Sequence, residues 1–440
     1  MKLSTLPESI NWNHTCRRRS QLRPPTGAEH CGTRQLRTHE RNIMMRLGLT
    51  LSLVSSFQIF QQSVINEMRD VDRKDPVFSI ASAAFPLGQF ISTLFLAFHP
   101  ISAKKGLIAD SWFLIAGSVV TLIPRLIAVI TSTNEANWHE IFWSILCIGR
   151  FLVGCGAGIG FVCVTIVLYD EIPYISRPAH FLVLGLAFAF GTLVINVTPL
   201  VDVPDLAILV FASALSAASG FAYLVLQPKS TYKLDSLSSE DSHSVTSSFP
   251  AMLVYVLMAL NVSIGVPATL AFSKGVFEKF GLSSASSSYL SIGFPLVQMI
   301  LILILYKSVL DRKILIVGGY IVAIIIQVIL LITSFYPYLP MMHKTVALSS
   351  LFWLLAVVCC VPCNTALCLI TEQFASSNEQ MTFASRGRAL MWVLATISTG
   401  TFTWTMEKYG FSACFAPYVI ISAVLMVVLI IIYPRKVQEQ

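Results

Sequence analysis

From Gly149 to Pro178 the chain reads GRFLVGCGAGIGFVCVTIVLYDEIPYISRP. No charge falls between Arg150 and Asp170, and with the apolar residues before it this run covers 141–168. A helix that crosses a bilayer needs roughly 20 apolar residues, so the run spans a membrane. Apolar residues follow one another here instead of alternating, which excludes a membrane strand. Gly154, Gly156 and Gly158 are poor choices for a helix in water, but in lipid small residues let helices approach closely. The run stops at Asp170-Glu171, and Arg177 lies shortly after.

The rest of the chain has the same character. Of 440 residues, 55% are apolar and 12% charged, against about 25% charged in an ordinary soluble domain. Apolar runs between charged or Pro/Gly-rich breaks predict twelve spans. Six lie at 46–66, 77–98, 107–131, 141–168, 179–200 and 204–227. Six more lie at 250–272, 287–307, 314–336, 345–371, 387–405 and 410–433. The fold class is therefore an all-α polytopic membrane protein with two six-helix halves. The domain reading is a basic tail at 1–45, halves at 46–227 and 250–433, a Ser-rich linker at 228–249, and a short tail at 434–440. A soluble enzyme, a disordered chain and a singly anchored receptor are excluded, and no catalytic acid, base and nucleophile group is visible.

Net charge is +7, but it does not mark a nucleic-acid binder. Arg17-Arg18-Arg19 and their neighbours form a juxtamembrane tail, a usual sign of a cytosolic face beside anionic lipid. With both termini cytosolic, 21 basic residues fall inside and eight outside, Arg150 being intramembrane. No apolar core makes the tail a signal peptide. Cys359, Cys360 and Cys363 include a CxxC spacing, yet within an apolar span this reads as packing, with no metal and no cofactor. Sequons at Asn13, Asn196 and Asn261 fall in the cytosol, in a short outer loop and within a span, so glycosylation is not expected.

The halves echo each other in charge. Lys104-Lys105 follow span two, as Arg312-Lys313 follow span eight. Glu171 ends span four and Arg177 follows; Glu372 ends span ten and Arg386 and Arg388 follow. Acids and bases at one membrane face can pair and part as the halves move, so these nine are the candidate cytosolic gate. Solvated loop charges obeying orientation rules are the alternative.

The 149–178 stretch resembles the span-four signature of sugar porters in the major facilitator superfamily, the group of GLUT-type facilitative glucose transporters. Gly149-Arg150, Gly154, Gly156, Gly158, Tyr169, Glu171, Ile172 and Arg177 carry the likeness. Weaker echoes stand in the family's order at Ser56–Gln58, Val64–Asn66, Pro228–Lys233, Ala271–Gly281 and Pro434–Lys436. The resemblance implies a twelve-helix carrier with a central solute site between its halves, and an arginine at 150 tied to neighbouring helices. The chain departs from the family where sugar binds: Asn261-Val262 replace a glutamine pair, Pro267 an asparagine, Gly185 a glutamine and Leu367 a tryptophan. Gln298 keeps an amide.

A buried amide without a partner costs roughly 2–7 kcal/mol, so membrane amides need a role. Gln58 and Gln62, a turn apart in span one, Asn261, Gln298 and Asn364 are the candidate solute ligands. Bonding between helices is their alternative use, and Gln89 and Gln327 are assigned to packing. Proton coupling needs a titratable group in the path; span one carries only Glu67 at its edge, and Asp110 is placed at the cytosolic edge of span three. Gly265 and Pro267 are expected to interrupt span seven, and Pro295 and Pro362 to bend spans eight and ten. The reading is facilitated movement of a small polar solute, a hexose or related polyol, through the plasma membrane, with lipid and solute as the partners and no obligate protein partner. A different solute, such as an organic ion or vitamin, or a non-transporting sensor, is the alternative.

Overall fold

The computed structural model describes residues 76–131, 139–171, 177–201, 205–226, 248–307, 313–335, 341–358, 366–367, 369–371, 373–374 and 376–433. Span one, residues 228–247 of the 228–249 linker and both tails therefore lie outside the described residues. Among those described there is no strand. The helices are α1 (Pro76–Phe98), α2 (Ala103–Thr131), α3 (His139–Glu171), α4 (Arg177–Val197), α5 (Asp205–Leu226) and α6 (Ser248–Ser263). They continue as α7 (Val266–Ala271), α8 (Ser273–Lys279), α9 (Ser284–Lys307), α10 (Gly319–Ser334), α11 (Met341–Val358) and α12 (Ser377–Ile432). Seven helical stretches among the described residues are long and apolar enough to cross a membrane, and Leu184–Val197, Ala207–Ala218 and Lys344–Ala356 are shorter apolar helices.

The glycine-rich stretch explains how α3 packs. Added side chains at Gly154 or Gly158 would run into the Phe85 carbonyl or the Ser92 hydroxyl of α1. At Gly149 the obstacle would be Thr121 of α2, and at Gly156 the Asp110 carbonyl oxygen would lie 3.0 Å away. The glycines thus bring α3 into backbone contact with α1 on one face and α2 on the other. In lipid there is no hydrophobic drive between helices, so this close van der Waals packing supplies the association.

Several buried hydroxyls are satisfied within their own helices. Thr93 donates to the Gln89 carbonyl at 2.7 Å, Ser111 to Leu107 at 2.9 Å and Thr121 to Gly117 at 2.8 Å. Such back-bonding removes the cost of a polar group in hydrocarbon.

One predicted span differs in form from the structure. Span seven, expected at 250–272, is three helices. Gly265 sits in the left-handed region at φ 76°, and Pro267 opens α7 where no backbone N–H is needed. The path then continues through α8 to Lys279. Spans eleven and twelve, expected at 387–405 and 410–433, are the two helical arms of α12, the first beginning earlier than expected, and the chain kinks between them at Gly410 (φ 85°, ψ 169°). The start of α12 follows a local signal: Ser376 accepts a bond from the Glu379 N–H at 3.2 Å, the Ser-x-x-Glu cap. A π-helical turn, Ile314–Gly318, leads into α10. Pro295 lies inside α9, and Pro362 lies outside the described residues.

Candidate functional site

Where α1 and α3 meet α7 and α12, a cavity of about 10 Å³ is lined by Ser82, Pro86, Arg150, Pro267, Trp392 and Thr399, among others. That is room for about one water. Both halves of the chain supply its walls. The order of residues along α12 brackets it between two contact layers.

Toward one end of the bundle, Phe272 stacks on Phe402 with ring centres 5.5 Å apart, and Phe78 lies 5.9 Å from Phe272. Ser79 and Thr403 share a hydrogen bond of 2.5 Å. At the same end Asn196 donates to the Ser291 carbonyl at 2.5 Å and Lys279 to the Met406 carbonyl at 3.2 Å. Phe78–Phe272, Ser79–Thr403 and Asn196–Ser291 each join a helix before residue 202 to an element after residue 247, whereas Phe272–Phe402 and Lys279–Met406 lie within the later elements. The Asn196 side chain, 2% exposed, is committed to this bond and offers no nitrogen for a glycan.

On the other side of the cavity, Phe161 of α3 stacks on Phe188 of α4 (5.1 Å) and on Trp392 of α12 (6.0 Å). The Arg388 guanidinium lies 5.5 Å over the same Phe161 ring. Arg388 is 6% exposed, although it was expected with the gate charges at the cytosolic surface. One turn separates Arg388 from Trp392, so both lie on the same face of α12. Cation–π contact over a desolvated ring is worth about 2 kcal/mol, which offsets part of the burial of the charge.

Arg150 is 2% exposed. Its Nε donates to the Ala81 carbonyl of α1 at 2.8 Å, and its guanidinium lies 5.9 Å from the Phe85 ring centre. It therefore joins α3 to α1 and at the same time borders the central cavity.

The expected solute ligands are dispersed. Gln58, Gln62 and Asn364 lie outside the described residues. Asn261 is half-buried on α6, its Oδ1 accepting from the Tyr320 hydroxyl of α10. Gln298 is buried on α9. Neither Asn261 nor Gln298 borders the central cavity. Gln327, assigned to packing, donates to the Ser263 carbonyl at 3.2 Å, one of the carbonyls freed by the break at Gly265. Gln89 is 1% exposed, and neither its oxygen nor its nitrogen has a hydrogen-bond partner.

Of the expected gate, Arg312 and Glu372 lie outside the described residues, and Glu171 and Arg177 are described only as the last residue of α3 and the first of α4. Lys104 and Lys105 are exposed at the start of α2. Lys313 lies 5.7 Å over the Tyr433 ring, and Arg386, exposed, 5.6 Å over Phe383. Among the described residues no three His, Cys, Asp or Glu side chains group as a metal site.

Phe161, Phe188 and Trp392 were not singled out from the sequence. Arg388 and Trp392 at i and i+4 were the available signal, a polar-aromatic face on an apolar helix. Asp110, placed at the cytosolic edge, is fully buried two turns into α2 against Gly156.

Residues 46–201 match the family model described as sugar (and other) transporter. No curated protein sequence matches the chain. Among solved structures, the major facilitator proton:xylose symporter XylE bound to 6-bromo-6-deoxy-D-glucose is similar with a TM-score of 0.73 at 14% identity, over 90% of this chain and 97% of that one. The inward-open xylose transporter XylE from E. coli gives 0.66 at 14% identity, over 90% and 98%. A human organic anion transporter, MFSD10, gives 0.58 at 16% identity, over 89% and 99%. At these identities the likeness speaks for the fold alone. The chain is a multi-pass membrane protein of the major facilitator fold, and residues 46–201 are similar to the sugar (and other) transporter family.

Proposed function

We propose that this protein is a sugar transporter that carries a hexose or related polyol across the membrane by alternating access, without proton coupling. The observation that carries this reading is the sugar-transporter match over 46–201, joined to a central cavity walled by both halves. A site shared by two halves opens to one side or the other as they rock. Transport, not catalysis, is its work.

In this reading Gln58, Gln62, Asn261, Gln298 and Asn364 are the amide ligands for sugar hydroxyls, since an amide both donates and accepts. Arg150 holds α3 to α1. Lys104, Lys105, Glu171, Arg177, Arg312, Lys313, Glu372, Arg386 and Arg388 form the cytosolic gate, with both termini in the cytosol and the plasma membrane as the site of action. The halves are 46–227 and 250–433, joined by the 228–249 linker.

Asp110 favours a second reading, proton-linked transport. An ionisable residue buried at membrane depth is a candidate proton relay, and Asp110 is fully buried. Uptake of labelled hexoses, pentoses and polyols into proteoliposomes separates the two. Facilitated diffusion predicts uptake that saturates, equilibrates and is unchanged by a protonophore or by Asp110→Asn. Uptake that concentrates the sugar and collapses with the proton gradient overturns the uncoupled reading; absence of flux for every sugar overturns sugar transport.

A further inference from the structure

A second cavity, of about 560 Å³, opens where α8, α10 and α11 meet the Gly410 turn of α12. Its volume is that of an ordinary small-molecule site, far larger than the central cavity. Phe280, Phe335 and Phe411 give it aromatic walls, and Lys279 and Lys344 bring two ammonium groups. Among the described residues no Asp or Glu borders it.

Its serine and threonine hydroxyls are already committed. Thr333 donates to the Ile329 carbonyl at 2.9 Å, Ser334 to Leu331 at 2.8 Å and Ser412 to Ser334 at 3.0 Å. The lysines are not used up in the same way. Lys279 gives one N–H to the Met406 carbonyl, and an ammonium has three to give. Lys344 leans over the Gly281 turn, its Nζ 3.3 Å from where a side-chain carbon on Gly281 would stand. Gly281 has φ 92°, so the turn itself calls for glycine, and glycine is also what leaves this ammonium its room.

Two cations without a bordering carboxylate, in a cavity with low-dielectric aromatic walls, create a local positive potential that draws an anion. Charge-assisted bonds to a phosphate or carboxylate are the strong ones, and the rings accept an apolar body beside the head. We propose that this cavity binds an anionic amphiphile, with a phosphate or carboxylate head between Lys279 and Lys344 and an apolar body against Phe280, Phe335 and Phe411. The ligand bridges the last helix of span seven, the start of span ten and the turn of α12. This site is separate from the central cavity and does not depend on which sugar is moved.

The head group can come from a lipid or from a soluble compound, and two measurements tell them apart. Native mass spectrometry of the full chain compares lipid retained from phosphatidylcholine vesicles with and without phosphatidylglycerol. Thermal unfolding in neutral detergent is followed as phenyl phosphate is added. Preferential retention of phosphatidylglycerol identifies a lipid head; stabilisation by phenyl phosphate identifies a soluble ligand; either supports the site. Lys344→Gln and Lys279→Gln are each expected to weaken the response about tenfold, the loss of one charge-assisted bond. Lys344→Arg keeps it, and Ala413→Trp, which fills the cavity without touching the charges, abolishes it. Should Lys344→Gln fail to fold, Lys279→Gln and Ala413→Trp carry the test. No response to either probe, or a response that these variants leave intact, overturns the proposal.

Discussion

Gly154→Ala tests the packing on which the whole first half rests. A methyl group at this position collides with the Phe85 carbonyl oxygen and comes within 3.0 Å of its carbon and 3.2 Å of the Phe85 Cα. All three are backbone atoms, so no change of rotamer relieves the clash. Restoring ordinary contact requires α1 and α3 to part by ~1 Å, since closely packed interiors have no slack to absorb it. The Arg150–Ala81 bond crosses the same seam at 2.8 Å. Lengthened by ~1 Å it ceases to be a hydrogen bond. Overpacking costs about 1–3 kcal/mol, and loss of a bond from a charged donor about 1.5–3 kcal/mol. The variant should therefore be destabilised by about 2.5–6 kcal/mol on those two terms. Gly318→Ala is the control: its nearest neighbour would be an Ile314 methyl at 3.9 Å. A helical Gly→Ala change without a clash is neutral or stabilising by roughly 0.5–1 kcal/mol. Thermal unfolding in detergent, read by monodisperse elution after heating, compares the two. If Gly154→Ala melts with the parent protein, α1 and α3 are not in backbone contact and the reasoning fails.

Tyr320→Phe releases the Asn261 Oδ1 from its hydroxyl partner. With Asn261 as a sugar ligand, the KM for the transported sugar should change by about two- to tenfold, a net hydrogen bond of about 0.5–1.5 kcal/mol, with the unfolding temperature little altered. An unchanged KM removes Asn261 from the solute site. Gln327→Leu takes away the N–H that serves the Ser263 carbonyl at the break in span seven. Leaving that carbonyl without its partner should cost about 1–3 kcal/mol, seen as a lower unfolding temperature; equal stability would mean the break is held by other contacts.

The long apolar helices among the described residues could be read from hydropathy because lipid demands long apolar runs with every backbone group bonded inside the helix. The break at Gly265 and Pro267 was also legible, since both residues carry their conformational rule with them. The division between 387–405 and 410–433 was legible too, since the kink falls at Gly410. Partners across helices were the illegible part. Nothing in the sequence near Asn261 points to Tyr320, and nothing near Asn196 points to the Ser291 carbonyl. Arg388 looked like its exposed neighbour Arg386, yet one is buried on Phe161 and the other is open to solvent. Two residues along a helix is about 200° of rotation, enough to turn a side chain from one face to the other. The resemblance in span four was informative because its glycines record where two neighbours must touch.

Gly410 has one more implication. Its φ and ψ belong to a region essentially closed to other residues, and no atom would stand within 4 Å of a side chain placed there. The long arm before it touches α1 through Thr403 and Phe161 through Arg388, while the arm after it carries none of those contacts. A tilt of the first arm can then be absorbed as torsion at a single swivel, with the second arm left in its place as a fixed post. In the proposed alternating-access cycle, torsion at this joint moves no side chain at Gly410 itself, so the mechanical resistance to rocking would lie in the contacts on either side of the joint and not in the residue that connects them.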